Sequence, residues 1–327
     1  PFPCTAHSVQ HRAMGAGLSS SEMGAGSSSS GKLAAFRGGG DAPFDAVGFQ
    51  SALAAWCKPY CLECSPPFLV GWYNEKRKET ADGQQIIEAL EDAVAFALWS
   101  IPGYLEVVAD HFRRKRPTSN FVDEATDELL DLLRTDLGAD LDAVVINTDR
   151  GPPYYHVQSV GCVAGVDEHI EAYDFTGAEA EAWREELSDS LEESRDTKMW
   201  GTDPASLRKI FGVNVHPVWG GWYAYRALVV LRGASSPALV QPPPLKCLEE
   251  REAQRVIGEY NLRHAECLWR DLSADGHPAD RRYTTSEYFF FTETSPAKRK
   301  RWLELRAAEM EQGVRAPGLA SLASLAQ

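Results

Sequence analysis

The sequence predicts an α+β domain with a central, mainly antiparallel sheet flanked by helices. Three observations lead to this fold class. Residues 211–233 read as a strand, a Gly220-Gly221 hinge and a second strand, which is a hairpin pattern. Elsewhere strands and helices are mixed, without the repeated strand–helix–strand units of a parallel sheet. Helical patterns dominate the chain after residue 248.

The composition is that of a soluble globular protein, with 44% hydrophobic and 24% charged residues among 327. A net charge of −14 argues against binding to the phosphate backbone of a nucleic acid. No apolar run is long enough to span a bilayer, and residues near Pro1 lack the hydrophobic core of a secretory signal. The seven cysteines are odd in number and mostly scattered, which fits a reducing compartment. We therefore expect a cytoplasmic protein without nucleic-acid or membrane partners.

The chain is expected to contain one folded domain between two tails. Residues 1–48 are rich in Gly and Ser, so we predict a disordered segment there. The folded domain is placed at residues 49–312, interrupted by an acidic, exposed helical insertion at about 175–204. Residues 313–327 form a second predicted tail.

The first half of the domain is predicted to contain three strands and several helices. We predict helices over 49–57, after Pro102, over 122–137 and over 154–173, and strands over 67–74, 93–100 and 141–147. The helix over 122–137 is amphipathic, and its predicted inward positions are Leu129, Leu130, Leu132, Leu133 and Leu137. In the second half, helices are predicted over 248–273, 284–292 and 296–312.

Cys57, Cys61 and Cys64 have the spacing C-x3-C-x2-C, which holds an iron–sulfur cluster in radical enzymes. Glu63 stands where that loop usually has an aromatic residue, and no barrel pattern follows. A turn with packed thiols is therefore the favoured interpretation, and we predict no metal site.

The second strand of the central stretch is apolar on both faces, so we expect it to be buried on both sides. Strict alternation places Arg226 on one face of the strand, together with Trp222, Ala224, Leu228 and Val230. The other face carries Tyr223, Tyr225, Ala227, Val229 and Leu231. A buried guanidinium needs an anionic partner, which is either an internal carboxylate or a ligand. The aromatic residues around the glycines either bind a large planar ligand or pack a hairpin corner.

Several short segments stand out in order along roughly residues 49–305. They are Trp72-Tyr73-Asn74, Val94 to Pro102, Gln158 with Val163-Ala164-Gly165, Gly212-Val213, His216-Pro217, Gly220-Gly221-Trp222 through Arg226, Tyr260-Asn261, Arg270-Asp271, Arg282-Tyr283, and Pro296-Ala297 with Arg299. Together and in this order, they resemble the methylmalonic aciduria and homocystinuria type C family of cobalamin-processing proteins.

This resemblance implies a fold like that of flavin-dependent nitroreductases, with a pocket for the corrin ring. It implies an enzyme that binds cobalamin with the lower base off and removes the upper axial ligand. It further implies that cyanide is lost by reduction with FAD or FMN and NADPH, and that alkyl groups are transferred to glutathione. Because the chemistry takes place at cobalt, no catalytic side chain is expected. The resemblance also implies a downstream trafficking adaptor, the type D protein, as partner.

The resemblance also assigns binding residues. The corrin contacts fall on Asn147, Tyr155, His156, Val157, Gln158, Phe211 and Tyr225, and the glutathione-binding arginines are Arg226, Arg270 and Arg299. Two departures stand out: Cys162 replaces a histidine of the family, and Glu168, His169, Ile170 and Glu171 replace its aromatic cluster.

Asp167-Glu-His169 comes close to the D-x-H-x-x-G motif of cobalamin mutases, but the glycine is missing and no strand-to-helix turn is predicted there. We therefore expect no histidine ligand to cobalt. Two alternatives stay open: a nitroreductase-like flavin reductase with another acceptor, and a cobalamin carrier without chemistry.

Overall fold

The computed structural model describes Leu33, Phe36 and residues 44–79, 86–111, 121–138, 141–147, 155–170, 211–292 and 295–311. The predicted acidic insertion and C-terminal tail lie outside these residues. So does most of the predicted N-terminal tail. Leu33 is nevertheless buried, and the rings of Phe36 and Phe49 lie 5.4 Å apart. The packed structure therefore extends N-terminal to residue 49.

The strands in chain order are β1 (Leu62–Cys64), β2 (Phe68–Leu69), β3 (Ala93–Ser100), β4 (Ala143–Asn147), β5 (Glu168–Ile170), β6 (Val213–Val215) and β7 (Ala224–Ser235). The helices are α1 (Ala46–Cys57), α2 (Val70–Glu79), α3 (Tyr104–His111), α4 (Phe121–Leu137), α5 (Val157–Ala164), α6 (Glu250–Leu262), α7 (Thr285–Thr292) and α8 (Pro296–Glu311). No helix among the described residues has the length and apolarity needed to cross a membrane.

Five strands form one antiparallel sheet in the order β1-β3-β7-β4, with β2 also paired to β3. β7 lies between β3 and β4 and is buried on both faces over most of its length, as the two apolar faces predicted. The predicted α+β class, with an antiparallel sheet flanked by helices, is confirmed. The likeness to nitroreductases stays a prediction.

The sheet separates two apolar layers. On the face we call the first face, Phe96, Leu98 and Val229 pack against α1, α3, α4, α7 and α8. On the second face, Ala97, Trp99 and Leu228 pack against α2 and α5. α2 also reaches the first layer, because Trp72 packs against both.

A β-bulge at Arg226 breaks the alternation in β7. Leu98 pairs with Ala227, whereas the next residue, Trp99, pairs with Tyr225, which leaves Arg226 as the extra residue. Such an insertion shifts the phase of the side chains on one side of it. The predicted faces are therefore wrong before Ala227: Tyr225 joins Leu228 on the second face, and Arg226 reaches aromatic rings on the first.

The predicted hairpin is also wrong, because β6 pairs with β5 in a separate two-stranded sheet. The turn between β6 and β7 is closed by a bridge between His216 and Gly220. Gly220 has φ +55°, and a Cβ there would collide with the carbonyl oxygen of Arg270. The Gly221 amide donates to the same carbonyl at 2.8 Å. Because the two glycines have no side chains, the backbone at Arg270 can approach this turn closely. The resulting hydrogen bond joins the C-terminal region to the start of β7.

Three predicted elements need correction. The strand expected over 67–74 is limited to the two residues of β2, and the helix α2 follows directly from Val70. The helix expected over 154–173 ends at Ala164, because Gly165 adopts a left-handed conformation with φ +64° and closes the helix end. The helix expected over 248–273 ends at Leu262 and is followed by short 3-10 turns.

The other helices agree with their sequence patterns. The helices predicted near 49–57, after Pro102, over 122–137, over 284–292 and over 296–312 are confirmed as α1, α3, α4, α7 and α8. One detail of α4 is wrong: Leu132, expected to point inward, is 37% exposed.

Candidate functional site

A carboxylate lies buried on the second face, between α5, β6 and β7. Asp167 is 1% exposed. It accepts hydrogen bonds from the hydroxyls of Tyr223 (2.6 Å) and Tyr225 (2.5 Å) and from the side-chain amide of Asn214 (2.7 Å). Burial raises the pKa of Asp167 above its ordinary value, and the three donors oppose that rise. Asp167, Tyr223, Tyr225 and Asn214 are called the carboxylate cluster below.

Five of the predicted corrin contacts lie on or beside α5 and β7. Tyr155 and Tyr225 are buried in the same apolar layer, and Val157 packs on it. His156 caps α5, its Nδ1 accepting from the Ser159 amide at 3.2 Å. Gln158 donates from Nε2 to the carbonyl of Gly212 at 2.9 Å. The segment 155–158 is therefore held against the start of β6.

Of the two remaining predicted corrin contacts, Phe211 lies near that group and Asn147 lies apart from it. The Phe211 amide donates to the side-chain oxygen of Asn261 at 2.9 Å, which joins Phe211 to α6. Because Gly212 follows it, Phe211 stays beside Gln158. The Asn147 side chain, in contrast, donates to Asp127 of α4 at 2.5 Å. The structure thus brings every predicted corrin contact except Asn147 to the α5 side of the molecule.

His169 belongs to the polar network around the carboxylate cluster. Its Nδ1 lies 2.6 Å from the side-chain oxygen of Asn214, whose amide nitrogen donates to Asp167. Nδ1 is therefore the donor. In the part of the chain that the structure describes, no three His, Cys, Asp or Glu side chains are grouped so as to hold a metal ion. Cys162, the other departure from the family, is half-buried on α5.

On the first face, the Arg226 side chain is surrounded by aromatic rings. Its guanidinium carbon lies 5.0 Å from the ring centre of Tyr104 and 5.8 Å from that of Phe291. Nε donates to Ser100 Oγ at 2.9 Å. Arg226 is 7% exposed, and no described carboxylate forms an ion pair with it. The internal salt bridge expected as one alternative is absent from the described residues, so the positive charge is without an anion there.

Arg270 lies in the 3-10 turn Leu268–Arg270 and not on the long helix expected from the sequence. Its guanidinium carbon is 4.3 Å from the ring centre of Trp269 and 5.2 Å from that of Tyr283. Nη1 donates to the carbonyl of Gly221. Nε is buried and has no hydrogen-bond partner. One donor of this arginine is therefore unsatisfied.

Arg299 lies in the first turn of α8, as predicted, 5.9 Å from the ring centre of Phe290, and its Nε is also buried without a partner. Phe290 contacts Phe291 (5.7 Å between ring centres), and Phe291 contacts Tyr283 (5.1 Å). The three arginines therefore border one continuous group of aromatic rings. This requires α7 and α8 to cover the first face of the sheet, which they do.

A cavity of about 320 Å³ opens beside this group of rings. Trp222, Tyr283 and Tyr288 form its aromatic walls, and Cys267, Asp271 and Arg282 add polar groups; Glu266, Leu268 and Thr285 complete the lining. Asp271 accepts from the Trp222 indole at 2.8 Å and pairs with Arg282 at 2.5 Å. The Arg270 guanidinium contacts two of these walls, 5.6 Å from the Trp222 ring centre and 5.2 Å from that of Tyr283.

A second buried carboxylate, that of Glu287, joins α7 to the start of α3. Glu287 is fully buried and accepts from the backbone amides of Gly103 (2.9 Å), Leu105 (3.2 Å) and Thr284 (3.0 Å). The Thr284 hydroxyl accepts in return from the Glu287 amide at 3.1 Å, which completes a capping box. Burial raises the pKa of Glu287, with nearby Glu106 adding to the rise. Glu287 was not among the predicted site residues, although its Thr-x-x-Glu pattern is a usable signal.

His216 is buried where the turn meets the second face. Its Nδ1 accepts from the amides of Val218 (3.1 Å) and Trp219 (3.2 Å). Burial lowers its pKa to about 4, so the ring is neutral at physiological pH. Glu63 accepts from the indoles of Trp99 (3.1 Å) and Trp219 (2.9 Å). These bonds fix the aromatic residues beside the carboxylate cluster.

Comparison with known proteins identifies a matching family and several relatives of this chain. The model of the MMACHC, methylmalonic aciduria and homocystinuria type C, family matches residues 61–303. A Gallus gallus protein named cyanocobalamin reductase / alkylcobalamin dealkylase is 25% identical over 245 residues, which are 73% of this chain and 89% of that protein. A Danio rerio protein of the same name is 39% identical over 99 residues, 30% of this chain and 38% of that protein.

A solved structure shares the fold. It is that of a C. elegans B12-trafficking protein, CblC, described as a human MMACHC homologue, and it superposes with a TM-score of 0.58 at 18% identity. The match covers 75% of this chain and 90% of that chain.

Proposed function

The chain belongs to the methylmalonic aciduria and homocystinuria type C family, and from this premise we propose that it binds cobalamin and removes its upper axial ligand. The proposed activity is that named for its relatives, cyanocobalamin reductase and alkylcobalamin dealkylase. Binding takes place with the lower base off. The substrate's cobalt supplies the reactivity, and the protein supplies binding and orientation.

The observation that carries this proposal is the positive charge of Arg226, held in the first-face core without a carboxylate among the described residues. A buried charge is costly unless it is paired, so a site of this kind favours an anionic ligand. Arg270 and Arg299 border the same rings, each with an unbonded Nε. Glutathione has two carboxylates, and arginine binds carboxylates with parallel donors.

In the dealkylation, the glutathione thiolate attacks the alkyl carbon bound to cobalt. A carbon–sulfur bond forms, the cobalt–carbon bond breaks, and its electron pair stays on cobalt, so that cob(I)alamin leaves. The three arginines would hold the carboxylates and thereby orient the thiol. This role fits groups that bind the ends of the peptide and not its sulfur.

In the decyanation, a bound FAD or FMN would supply, with NADPH as the electron source, the electrons that reduce the cobalt of cyanocobalamin so that cyanide can leave. The nitroreductase-like fold, the flavin and NADPH enter the proposal through the family resemblance. The described residues hold no feature that we would assign to a flavin. A cytoplasmic location and handover to the type D adaptor are part of the same proposal.

The two predicted binding sets adjoin at one end of β7. Tyr225 and Arg226 are neighbours in sequence but face opposite sides of the sheet. The same is true of Trp222, which contacts Arg270, and Tyr223, which contacts Asp167. Corrin and glutathione would therefore meet around the N-terminal end of β7, beside the Gly220-Gly221 turn.

The test is the visible spectrum of methylcobalamin mixed with the protein. A change from the red base-on form to the yellow base-off form, followed by glutathione-dependent loss of the methyl group, is the expected result. Flavin binding without any cobalamin shift would instead indicate a flavin reductase with another acceptor. A spectral shift without turnover under glutathione, or under flavin with NADPH, would indicate a carrier. Either of these results would refute the proposed activity.

A further inference from the structure

The carboxylate cluster joins the three segments that hold the predicted corrin contacts of the second face. Asp167 follows α5, whose first turn carries residues 155–158. Asn214 lies in β6, next to the segment that begins at Phe211, and Tyr225 lies in β7. The three hydrogen bonds of Asp167 therefore determine how these segments sit relative to one another.

The cluster is closely packed and complete. One carboxylate oxygen accepts from both tyrosine hydroxyls, and the other accepts from Asn214. Gly161 lies directly over it, since a Cβ at Gly161 would collide with the Tyr225 hydroxyl and with Asp167. The hydroxyl end of Tyr225 thus points into the protein, and its ring packs against the rings of Trp99 and Tyr223.

A carboxylate does here what no neutral side chain of its size can do, because it accepts on both oxygens from three donors. No described Lys or Arg forms an ion pair with it. His169 reaches it only indirectly, through Asn214. A carboxylate buried at this cost would be replaced by an apolar residue if packing alone were required.

We infer that Asp167 is a positioning residue for cobalamin binding: it fixes the Tyr225 ring and the first turn of α5 in the one arrangement that accepts the corrin. The inference rests on the proposed function and adds to it a residue outside the set predicted from the family resemblance. It also gives the Asp167-x-His169 sequence a role other than ligation of cobalt.

The first experiment compares Asp167→Asn with the wild-type chain by titration with methylcobalamin, followed by the base-off absorbance. Asparagine keeps the size but presents an amide N–H to two tyrosine donors. Because Asp167→Asn loses a hydrogen bond to a charged group, we expect its affinity for methylcobalamin to be roughly tenfold weaker. The matched control is Val229→Ala, which removes core volume from the opposite face of the same strand. It should lower the melting temperature and leave cobalamin affinity unchanged.

The second experiment separates positioning from general stability. If Asp167 acts through Tyr225, Tyr225→Phe should weaken affinity several-fold in the wild-type background and have almost no further effect in Asp167→Asn. Wild-type affinity in Asp167→Asn, or losses that multiply in the double variant, would overturn the inference while the proposed function stands. Absence of a spectral shift with the wild-type chain would overturn both. If Asp167→Asn fails to fold, unchanged affinity in Tyr225→Phe is the result that overturns it.

Discussion

Replacing Arg226 by glutamine tests whether its charge serves a ligand or the fold. Glutamine keeps an N–H donor for Ser100 Oγ. The substitution therefore chiefly removes the positive charge and the other N–H donors of the guanidinium. A hydrogen bond to a charged group contributes about 1.5–3 kcal/mol, and about 1.4 kcal/mol corresponds to a tenfold change in affinity. Arg226→Gln should therefore raise the glutathione concentration needed for dealkylation of methylcobalamin by roughly ten- to a hundredfold.

Stability gives the second half of this prediction. Because no described carboxylate pairs with Arg226, removal of its charge leaves no anion unpaired, and it removes a desolvation cost. The melting temperature of Arg226→Gln should stay level or rise. The assays are initial rates over a glutathione series, flavin-driven decyanation at fixed NADPH, and thermal unfolding.

The matched control is Arg232→Gln on the same strand. Arg232 is exposed and pairs with Asp142 at 2.7 Å, an interaction that contributes about 0–1 kcal/mol at a surface. Its replacement should change neither reaction. Equal losses of dealkylation and decyanation in Arg226→Gln, or a lower melting temperature with an unchanged glutathione requirement, would show that Arg226 is structural.

Three further outcomes follow from the geometry. Glu287→Ala should destabilise the protein, since each buried amide left without an acceptor costs about 1–3 kcal/mol. Chemical unfolding would measure the free energy of unfolding, and a decrease of less than about 1 kcal/mol would contradict this expectation. Because His216 titrates near pH 4 when folded against an ordinary 6.5, its stabilising effect is full above pH 6.5 and is lost as the pH falls toward 4. His216→Asn keeps an acceptor for the turn, so its stability should fall less than that of the wild type over this interval; parallel curves would refute the assignment. Cys162→Ser should retain dealkylation, because we interpret this thiol as a packing group, and lost turnover at unchanged cobalamin affinity would show otherwise.

Elements whose hydrophobic pattern lies within one segment of the chain could be predicted from the sequence. β3 and β7 are apolar on both faces, and α4 repeats its leucines at helical spacing, so burial and period could be read directly. The helix predicted through residue 173 failed because one left-handed glycine, Gly165, ends it. Whether a glycine ends a helix or lies inside one depends on contacts that a sequence does not display.

The pairing of β6 and the carboxylate cluster were not predictable in the same way. The hairpin pattern on both sides of Gly220-Gly221 is real, but β6 finds its partner more than forty residues earlier, in β5. Asp167 drew attention only as part of a metal motif. Its actual partners, Tyr223 and Tyr225, come from a different element, and their two-residue spacing was the one signal that they share a face.

The bulge at Arg226 also has a consequence for how this strand can change over evolutionary time. Adjacent residues of β7 point to opposite faces of the sheet, so a substitution on one face need not disturb the other. Loss of the one extra residue at the bulge would do the reverse, turning every preceding side chain of the strand to the other side at once. In comparing relatives, the number of residues between the glycine pair and the apolar end of this strand is therefore as informative as their identities.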